Sequence, residues 1–275
     1  MSDIPPGIKF VKDLEYARPD GSPLCLDLYL PDEPKRPLPL VISIHGGGWC
    51  KLSKDPATEI SLTSYGFANA SIDYRLAPGA HWPAQMHDCK AAVRFLRANA
   101  ATYGLDPNRF AAVGGSAGGH LSAVLAASNG NKYLEGSLGN HLDASSALQA
   151  VCDACGPTDF FEMSKFPMHW NPWSPDSNIG KLLGGRLLDK VALARSANPI
   201  TYISKNTPPF LVIHGLKDVT IPFNQSELLV AALQRADIPV KFVPIPDACH
   251  YLGEIPANFD YAIRLMSDFF HEHMK

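Results

Sequence analysis

The chain has 275 residues, 46% of them hydrophobic and 19% charged, which is the composition of an ordinary globular protein. A formal net charge of -3 and the absence of any window near 18 apolar residues exclude a basic nucleic-acid surface and a membrane span. The N-terminus lacks a basic stretch followed by an apolar run, so the sequence as it stands predicts a cytoplasmic protein. Secretion stays open if a signal peptide has been trimmed.

Eight apolar stretches have the length and composition of strands. They cover residues 10–18, 24–30, 39–45, 67–74, a run from Phe110 to Gly115, and then 148–154, 210–214 and 240–244. The first two are joined by a turn at 19–22 and the second alternates apolar and polar residues, which is typical of a hairpin. The run at 39–45 is continuously apolar, as expected of a strand buried on both faces.

Helical patterns alternate with these strands after the opening hairpin. They cover residues 56–65, 83–99, the small residues after Ser116, short patches around 179–196, and then 224–235 and 258–273. Alternation of this kind predicts one α/β domain over 1–275, with an eight-stranded, mostly parallel sheet flanked by helices on both faces. Residues 157–208 are irregular and predicted to roof a pocket, because loops this long usually serve function.

The six cysteines do not predict a disulfide framework in a chain of this length. Cys152 and Cys155 have C-x-x-C spacing, but the chain has no second such pair. Because they end an apolar run, buried thiols are expected here rather than a redox or metal pair. We predict no metal and no cofactor.

The pentad Gly114-Gly115-Ser116-Ala117-Gly118 fits G-x-S-x-G, the pattern of a nucleophile elbow. A sharp turn between strand and helix strains the serine backbone and requires small neighbours. Ser116 is therefore predicted to be a nucleophile, with the Ala117 amide beside it at a helix N-terminus.

A serine nucleophile needs a histidine base that a carboxylate orients. On this fold the partners follow in the order serine, acid, histidine. His250 lies in a turn-rich loop after the last strand, whereas His271 and His273 end the terminal helix in a polar setting. Asp218 follows the strand at 210–214, so it is the predicted acid.

Two other acidic residues are alternatives for that role. Asp153 and Asp159 lie at or after the preceding strand, where this fold sometimes carries its acid.

The sequence His45-Gly46-Gly47-Gly48-Trp49 follows the third strand. Consecutive glycines let backbone amides face a site, which suits an oxyanion hole. Gly47 and Gly48, with Ala117, are the predicted donors, although which two glycines point inward is open. His45 is expected to brace the loop.

Five motifs occur in order: 45–49, 73–78, 114–119, 214–218 and the late His250. Together they resemble an α/β-hydrolase-fold carboxylesterase with an HGGG loop. The closest group is the bifunctional feruloyl and acetyl (xylan) esterases, near the hormone-sensitive-lipase-like esterases. Two departures favour the former group: Gly115 stands where the latter usually carries an acidic residue, and the long N-terminal helical cap is missing.

The resemblance implies a serine carboxylic ester hydrolase that works through an acyl-enzyme. Its substrates would be short-chain, foremost acetyl, esters of a carbohydrate or an aryl alcohol. Trp49, Trp170 and Trp173 are predicted to line the substrate site, because aromatic rings stack on sugars and phenols. Trp82 is expected to be core.

Two alternatives keep the fold. An amidase, such as an arylformamidase, would use the same triad, and a non-catalytic binding protein would lack part of it. The sequence leaves the oligomeric state open.

Overall fold

Eight strands form one sheet in the order β1-β2-β4-β3-β5-β6-β7-β8 in the computed structural model, which describes residues 4–32, 37–168, 170–250 and 252–275. β1 pairs antiparallel with β2, and β2 with β4, whereas all other neighbours are parallel. The strands are β1 (Ile8–Ala17), β2 (Leu24–Pro31), β3 (Leu38–Ile44), β4 (Ala68–Ile72), β5 (Leu105–Gly115), β6 (Ala150–Ala154), β7 (Phe210–Gly215) and β8 (Val240–Ile245).

Helices cover both faces of this sheet. They are α1 (Ala84–Ala98), α2 (Ala100–Tyr103), α3 (Ala117–Ala127), α4 (Lys132–Glu135), α5 (Phe160–Met163), α6 (Asn178–Leu183), α7 (Val191–Ser196), α8 (Asn224–Arg235) and α9 (Pro256–His273). Because strand side chains alternate between faces, Leu40 and Ile42 join a core with α1 and α3, and Val41 joins another with α9. The predicted α/β fold is confirmed. Among the described residues, no helix is long and apolar enough to cross a membrane.

Several element bounds differ from the prediction. The helix expected at 56–65 is a short 3-10 helix at Ile60–Tyr65, which ends where Gly66 adopts a φ of 87°. β5 begins five residues before the apolar run at Phe110. The short α4, between α3 and β6, has no counterpart among the predicted helices; the Asn131 side chain accepts a hydrogen bond from the Leu134 amide and caps it.

The segment at 73–78 fastens the sheet to its surroundings. Asp73 accepts a hydrogen bond from the Lys54 amide at 2.8 Å, and the Tyr74 hydroxyl donates to the carbonyls of His45 and Gly46 at 3.0 Å each. The Arg75 guanidinium contacts the buried Asp88 carboxylate of α1 at 2.7 Å. This motif therefore positions the loop after β3 rather than reacting itself.

β3, β5 and α3 meet more closely than side chains would allow. A Cβ atom added to Gly118 would lie 1.9 Å from the Ile44 carbonyl oxygen, and one added to Gly114 would lie 2.4 Å from the Gly118 carbonyl carbon. Gly115 has room, since a Cβ added there would lie 3.9 Å from the Ala154 carbonyl oxygen, an ordinary van der Waals distance. The turn at Ser116 thus depends on glycine at 114 and 118 and tolerates a methyl group at 115.

We expect Gly118→Ala to lower the free energy of unfolding by about 3 kcal/mol or more, because the new methyl group has no space against β3. Helix propensity alone predicts the opposite sign, a gain of about 1 kcal/mol. Gly115→Ala is the matched control and should stay within about 1 kcal/mol of wild type. Urea unfolding followed by circular dichroism measures both, and equal stability of the two variants would contradict the packing argument.

Candidate active site

Ser116 stands at the apex of the turn between β5 and α3. Its backbone has φ 58° and ψ -123°, a region that residues with a side chain rarely occupy. The turn is held because the Ser116 amide donates to the Ala154 carbonyl at 2.8 Å and the Ser116 carbonyl accepts from the His120 amide at 3.0 Å. Ser116 lines a cavity of about 560 Å³. The strain and its supports are those expected of the predicted elbow.

His250 and Asp218 are joined although 32 residues separate them in the chain. Nδ1 of His250 lies 2.7 Å from Oδ2 of Asp218. The other carboxylate oxygen accepts the amides of Thr220 at 2.8 Å and Ile221 at 2.9 Å. His250 also lines the cavity that contains Ser116, so the three predicted catalytic residues meet at one edge of the sheet.

Neither alternative acid is placed to contact His250 in this way. Oδ1 of Asp159 accepts hydrogen bonds from the amides of Phe161 and Glu162, so this residue caps α5. Asp153 is buried in β6, where Oδ1 accepts the Gly156 amide at 2.8 Å. Burial raises the pKa of Asp153 to about 6 despite that hydrogen bond.

His214 is a second histidine on the same carboxylate, which the sequence reasoning missed. It is fully buried at the end of β7, with Nε2 3.2 Å from Oδ2 of Asp218. Nε2 also lies 3.2 Å from the Ile221 carbonyl, so it faces two acceptors and carries a proton. Nδ1 lies 2.7 Å from the Ser226 hydroxyl. The four-residue spacing of His214 and Asp218 was the available signal.

This set of donors controls the charge at the site. Burial by itself would raise the pKa of Asp218, but hydrogen bonds from His214, His250 and the Ile221 amide hold it well below the usual range. Burial would likewise lower the pKa of His250, but the contacts with Asp218 and with Cys155 together outweigh it and raise the pKa above its usual value. Asp218 is therefore ionised and stabilises a positive charge on His250.

The loop after β3 brings Gly47 and Gly48 to the cavity wall, and Ala117 reaches it from the start of α3. Gly47 and Gly48 have φ values of 87° and 59°. The positive φ of Gly48 favours glycine at this position. A Cβ added there would also lie 2.1 Å from the side-chain amide nitrogen of Asn178. Among the described residues, no backbone or side-chain atom accepts a hydrogen bond from the backbone N–H of Gly47, Gly48 or Ala117. These amides are available to a ligand.

His45 supports this loop from beneath. Its ring stacks on Tyr74 with centroids 4.2 Å apart, and Nδ1 lies 3.0 Å from the Gly46 carbonyl. Burial lowers the pKa of His45 to about 4, against the effect of that hydrogen bond, so the ring is neutral at pH 7. These contacts agree with the predicted bracing role.

The three predicted substrate tryptophans occupy different environments. Trp49 is only 3% exposed, packs edge-on against Phe160, and donates its indole N–H to Nδ1 of His120 at 3.2 Å. Trp170 is half-buried and lines the cavity, whereas Trp173 is 37% exposed and is not among the described residues that line it. Trp49 and Trp170 thus both line the cavity, and Trp49 in addition anchors the glycine loop. Trp82 is core, as expected.

Cys155 is a further cavity residue to which the sequence gave no role. Its thiol contacts the His250 carbonyl at 3.5 Å, and ligand atoms of Cys155, Asp218 and His250 all lie within 4.8 Å of one another. Zinc–ligand distances near 2.0–2.3 Å require bound atoms to stand more than 3 Å apart. The 2.7 Å contact of His250 with Asp218 is a hydrogen bond and leaves no space for an ion between them.

A strained serine after β5, a histidine–carboxylate pair after β7 and β8, and free amides after β3 share one edge of the sheet. This arrangement defines the α/β-hydrolase class. The chain belongs to the BD-FAE family, which matches residues 26–233. The predicted esterase family is confirmed.

Relatives and solved structures agree with this assignment. The esterase LipQ of Mycobacterium tuberculosis is 32% identical over 244 residues, which are 86% of this chain and 56% of LipQ. A truncated carbohydrate esterase from gut microbiota has a TM-score of 0.87 and 33% identity, covering 97% of this chain and 96% of that one. The Est2 esterase of Thermogutta terrifontis, with propionate bound, has a TM-score of 0.77 and 26% identity, covering 97% and 94%.

The chain spans about half the length of the curated relatives that it matches.

Substitutions of Asp218 and of His214 should shift the pKa of His250 in opposite directions. Asp218→Asn removes the carboxylate and should lower the pKa of His250. His214→Phe removes one donor from that carboxylate, makes it more basic and should raise the pKa of His250 further. Histidine NMR across the pH range measures both. His214→Gln, which keeps an N–H donor, is the control, and a downward shift in His214→Phe would contradict the assigned contact.

Proposed function

We propose that the protein is a serine carboxylic ester hydrolase that acts through an acyl-enzyme on esters of short acyl groups. The observation that carries this proposal is the hydrogen bond of His250 to a buried, ionised Asp218 beside the cavity that holds Ser116 and three free amides. Each component of acyl transfer has a candidate at one site: Ser116 as nucleophile, His250 as base, and amides of Gly47, Gly48 and Ala117 as an oxyanion hole.

The chemistry follows from the tautomer of His250. Because Nδ1 is engaged by Asp218, a proton on Nδ1 leaves the lone pair of Nε2 free to accept the Ser116 hydroxyl proton. The serine oxygen attacks the ester carbonyl, and the resulting oxyanion accepts hydrogen bonds from the free amides. Nε2 then returns its proton to the departing alcohol. Water repeats the steps and releases the acid, with Asp218 stabilising the cation of His250 each time.

We propose esters of short acyl groups, with acetyl foremost, on a carbohydrate or aryl alcohol as the substrates. The Est2 structure is described with propionate bound, and the gut protein is described as a carbohydrate esterase. The irregular segment 157–208 contributes Trp170, Asn178 and Ile179 to the cavity, which supports its proposed role as a roof over the substrate.

The alternatives have less support. The relatives and structures described above carry esterase names, so the amidase reading has no observation in its favour. A binding protein without catalysis would not require a strained Ser116 or amides left without acceptors.

Ser116→Ala should lower kcat for 4-nitrophenyl acetate by about 10⁴–10⁶-fold and abolish labelling by a fluorophosphonate probe, because the variant has no nucleophile at the elbow. Ser122→Ala is the matched control: it lies in the same helix, and its buried hydroxyl lacks a hydrogen-bond partner among the described residues. It should retain activity within about threefold. Undiminished hydrolysis by Ser116→Ala would overturn the proposal.

The ratio of kcat to KM should fall along the series acetyl, butyryl and octanoyl when the 4-nitrophenyl leaving group is held constant. A short-acyl site gains little from added methylene groups and loses rate when they distort the acyl carbonyl position. The 4-nitrophenyl ester of ferulic acid, run beside the series, tests whether the site also accepts an aromatic acyl group. A maximum at octanoyl would reject the short-acyl proposal while leaving the serine mechanism intact.

A further inference from the structure

The cavity at Ser116 extends well beyond the reacting atoms. It also reaches Ser43 in β3, Ser71 in β4, and Thr58 and Glu59 in the segment before the 3-10 helix. Ser43 precedes Gly46 by three residues in extended chain, so this part of the cavity lies about 10 Å below the glycine loop. We define it as the deep chamber. An acetyl group is far too small to fill about 560 Å³.

Polar side chains line one wall of the deep chamber where an apolar sheet face would be expected. Ser43 lies two residues after Val41, on the same face of β3, and pairs in register with Ser71, so both serines face the side of the sheet that carries α9. The Asn69 side chain donates to the Ser43 hydroxyl at 2.8 Å, and the Ser71 hydroxyl donates to the Lys54 carbonyl at 2.7 Å. This wall therefore carries two hydrogen-bonded polar pairs, which we call the polar network.

Glu59 is the acidic group of this network. It is 8% exposed, and its side chain is hydrogen-bonded by Thr58 and Ser43. Burial raises the pKa of Glu59 against these two hydrogen bonds. None of the ion pairs found among the described residues includes Glu59. A buried carboxyl with hydroxyl partners rather than a cation is costly to keep, and it offers hydrogen bonds to anything that enters the chamber.

The opposite wall is apolar. It is formed by Phe259, Ala262 and Met266 of α9. An alkyl chain would satisfy this wall but leave the carboxyl and the hydroxyls without partners other than one another. A ring that carries hydroxyl groups satisfies both walls, because its face packs on Phe259 and Met266 while its edge meets Glu59.

We infer that the deep chamber is a binding subsite for the hydroxylated ring of the ester, a sugar or a phenol, and that Glu59 is its specificity-determining residue. This inference rests on the proposed esterase function and names the part of the substrate that the cavity selects. The acyl carbonyl would lie at Ser116 and the free amides, and the ring would reach down beside β3.

Two substrate pairs test this subsite by comparing a hydroxylated ring with a bare one. Methyl 2-O-acetyl-β-xyloside is paired with cyclohexyl acetate, and methyl ferulate with methyl cinnamate. For each pair the measured quantity is the ratio of the two kcat/KM values. The xyloside pair reports on a sugar and the ferulate pair on a phenol, so the pair with the larger wild-type ratio identifies the source of the ring.

Glu59→Leu should lower the larger ratio about tenfold, because one hydrogen-bond partner of the ring is lost. Glu59→Gln, which keeps a polar group of the same shape, should change it less than threefold. Glu227→Leu, an exposed glutamate of α8 outside the cavity, is the matched control and should leave it unchanged. Thr58→Val, which removes a hydroxyl beside Glu59, should also lower this kcat/KM ratio. It tests the subsite in place of Glu59→Leu if that variant does not fold.

Unchanged ratios in both Glu59→Leu and Thr58→Val would overturn the subsite. So would a wild-type preference for the bare ring in both pairs. A wild-type protein that cleaves 4-nitrophenyl acetate yet gives either result retains the proposed esterase function and loses only the inference about Glu59. A protein that cleaves none of the esters would instead defeat the proposed function.

Discussion

The close approach of β3, β5 and α3 is the constraint on which the candidate site depends. The carbonyl of Ile44 occupies the space that a side chain at 118 would need. Because the two backbones touch, the end of β3, the apex at Ser116 and the first turn of α3 are fixed relative to one another. One packing contact thereby places a hydroxyl and amides from two distant segments within the same cavity. The strain at Ser116 is the local cost of that contact.

The carboxylate of Asp218 organises the other half of the site. It is buried and receives N–H groups from two histidines and two backbone amides, which together compensate for its lost hydration. A carboxylate held in this way cannot rotate freely, so it fixes both the position and the tautomer of His250. His214 helps to hold the carboxylate in place, because its Nε2 contacts Oδ2 of Asp218 beside His250. The site is therefore preorganised before any substrate enters.

The glycine loop is held from behind by aromatic contacts rather than by its own sequence. Trp49 is inserted beside Phe160 and bonded to His120, whose other ring nitrogen lies 2.7 Å from the Ala197 carbonyl. Tyr74 holds the carbonyls at 45 and 46 from another side. These contacts explain how a run of three glycines, which is flexible in isolation, keeps its amides directed to one place.

The sequence by itself determined the fold class and indicated the candidate residues of the reaction. Alternating strands and helices define a parallel sheet, and G-x-S-x-G, the glycine loop, Asp218 and His250 each end a strand, so their meeting followed from topology. The G-x-S-x-G motif can be recognised in the sequence because the sharp turn of an elbow tolerates few residue types. Only the tertiary structure decided what surrounds them. It buried Trp49 in the cavity wall, placed Trp173 outside the cavity lining, and added His214, Cys155 and Glu59 to the site. Those outcomes depend on contacts between segments far apart in the chain, and local patterns carry no record of which side chain fills a shared space.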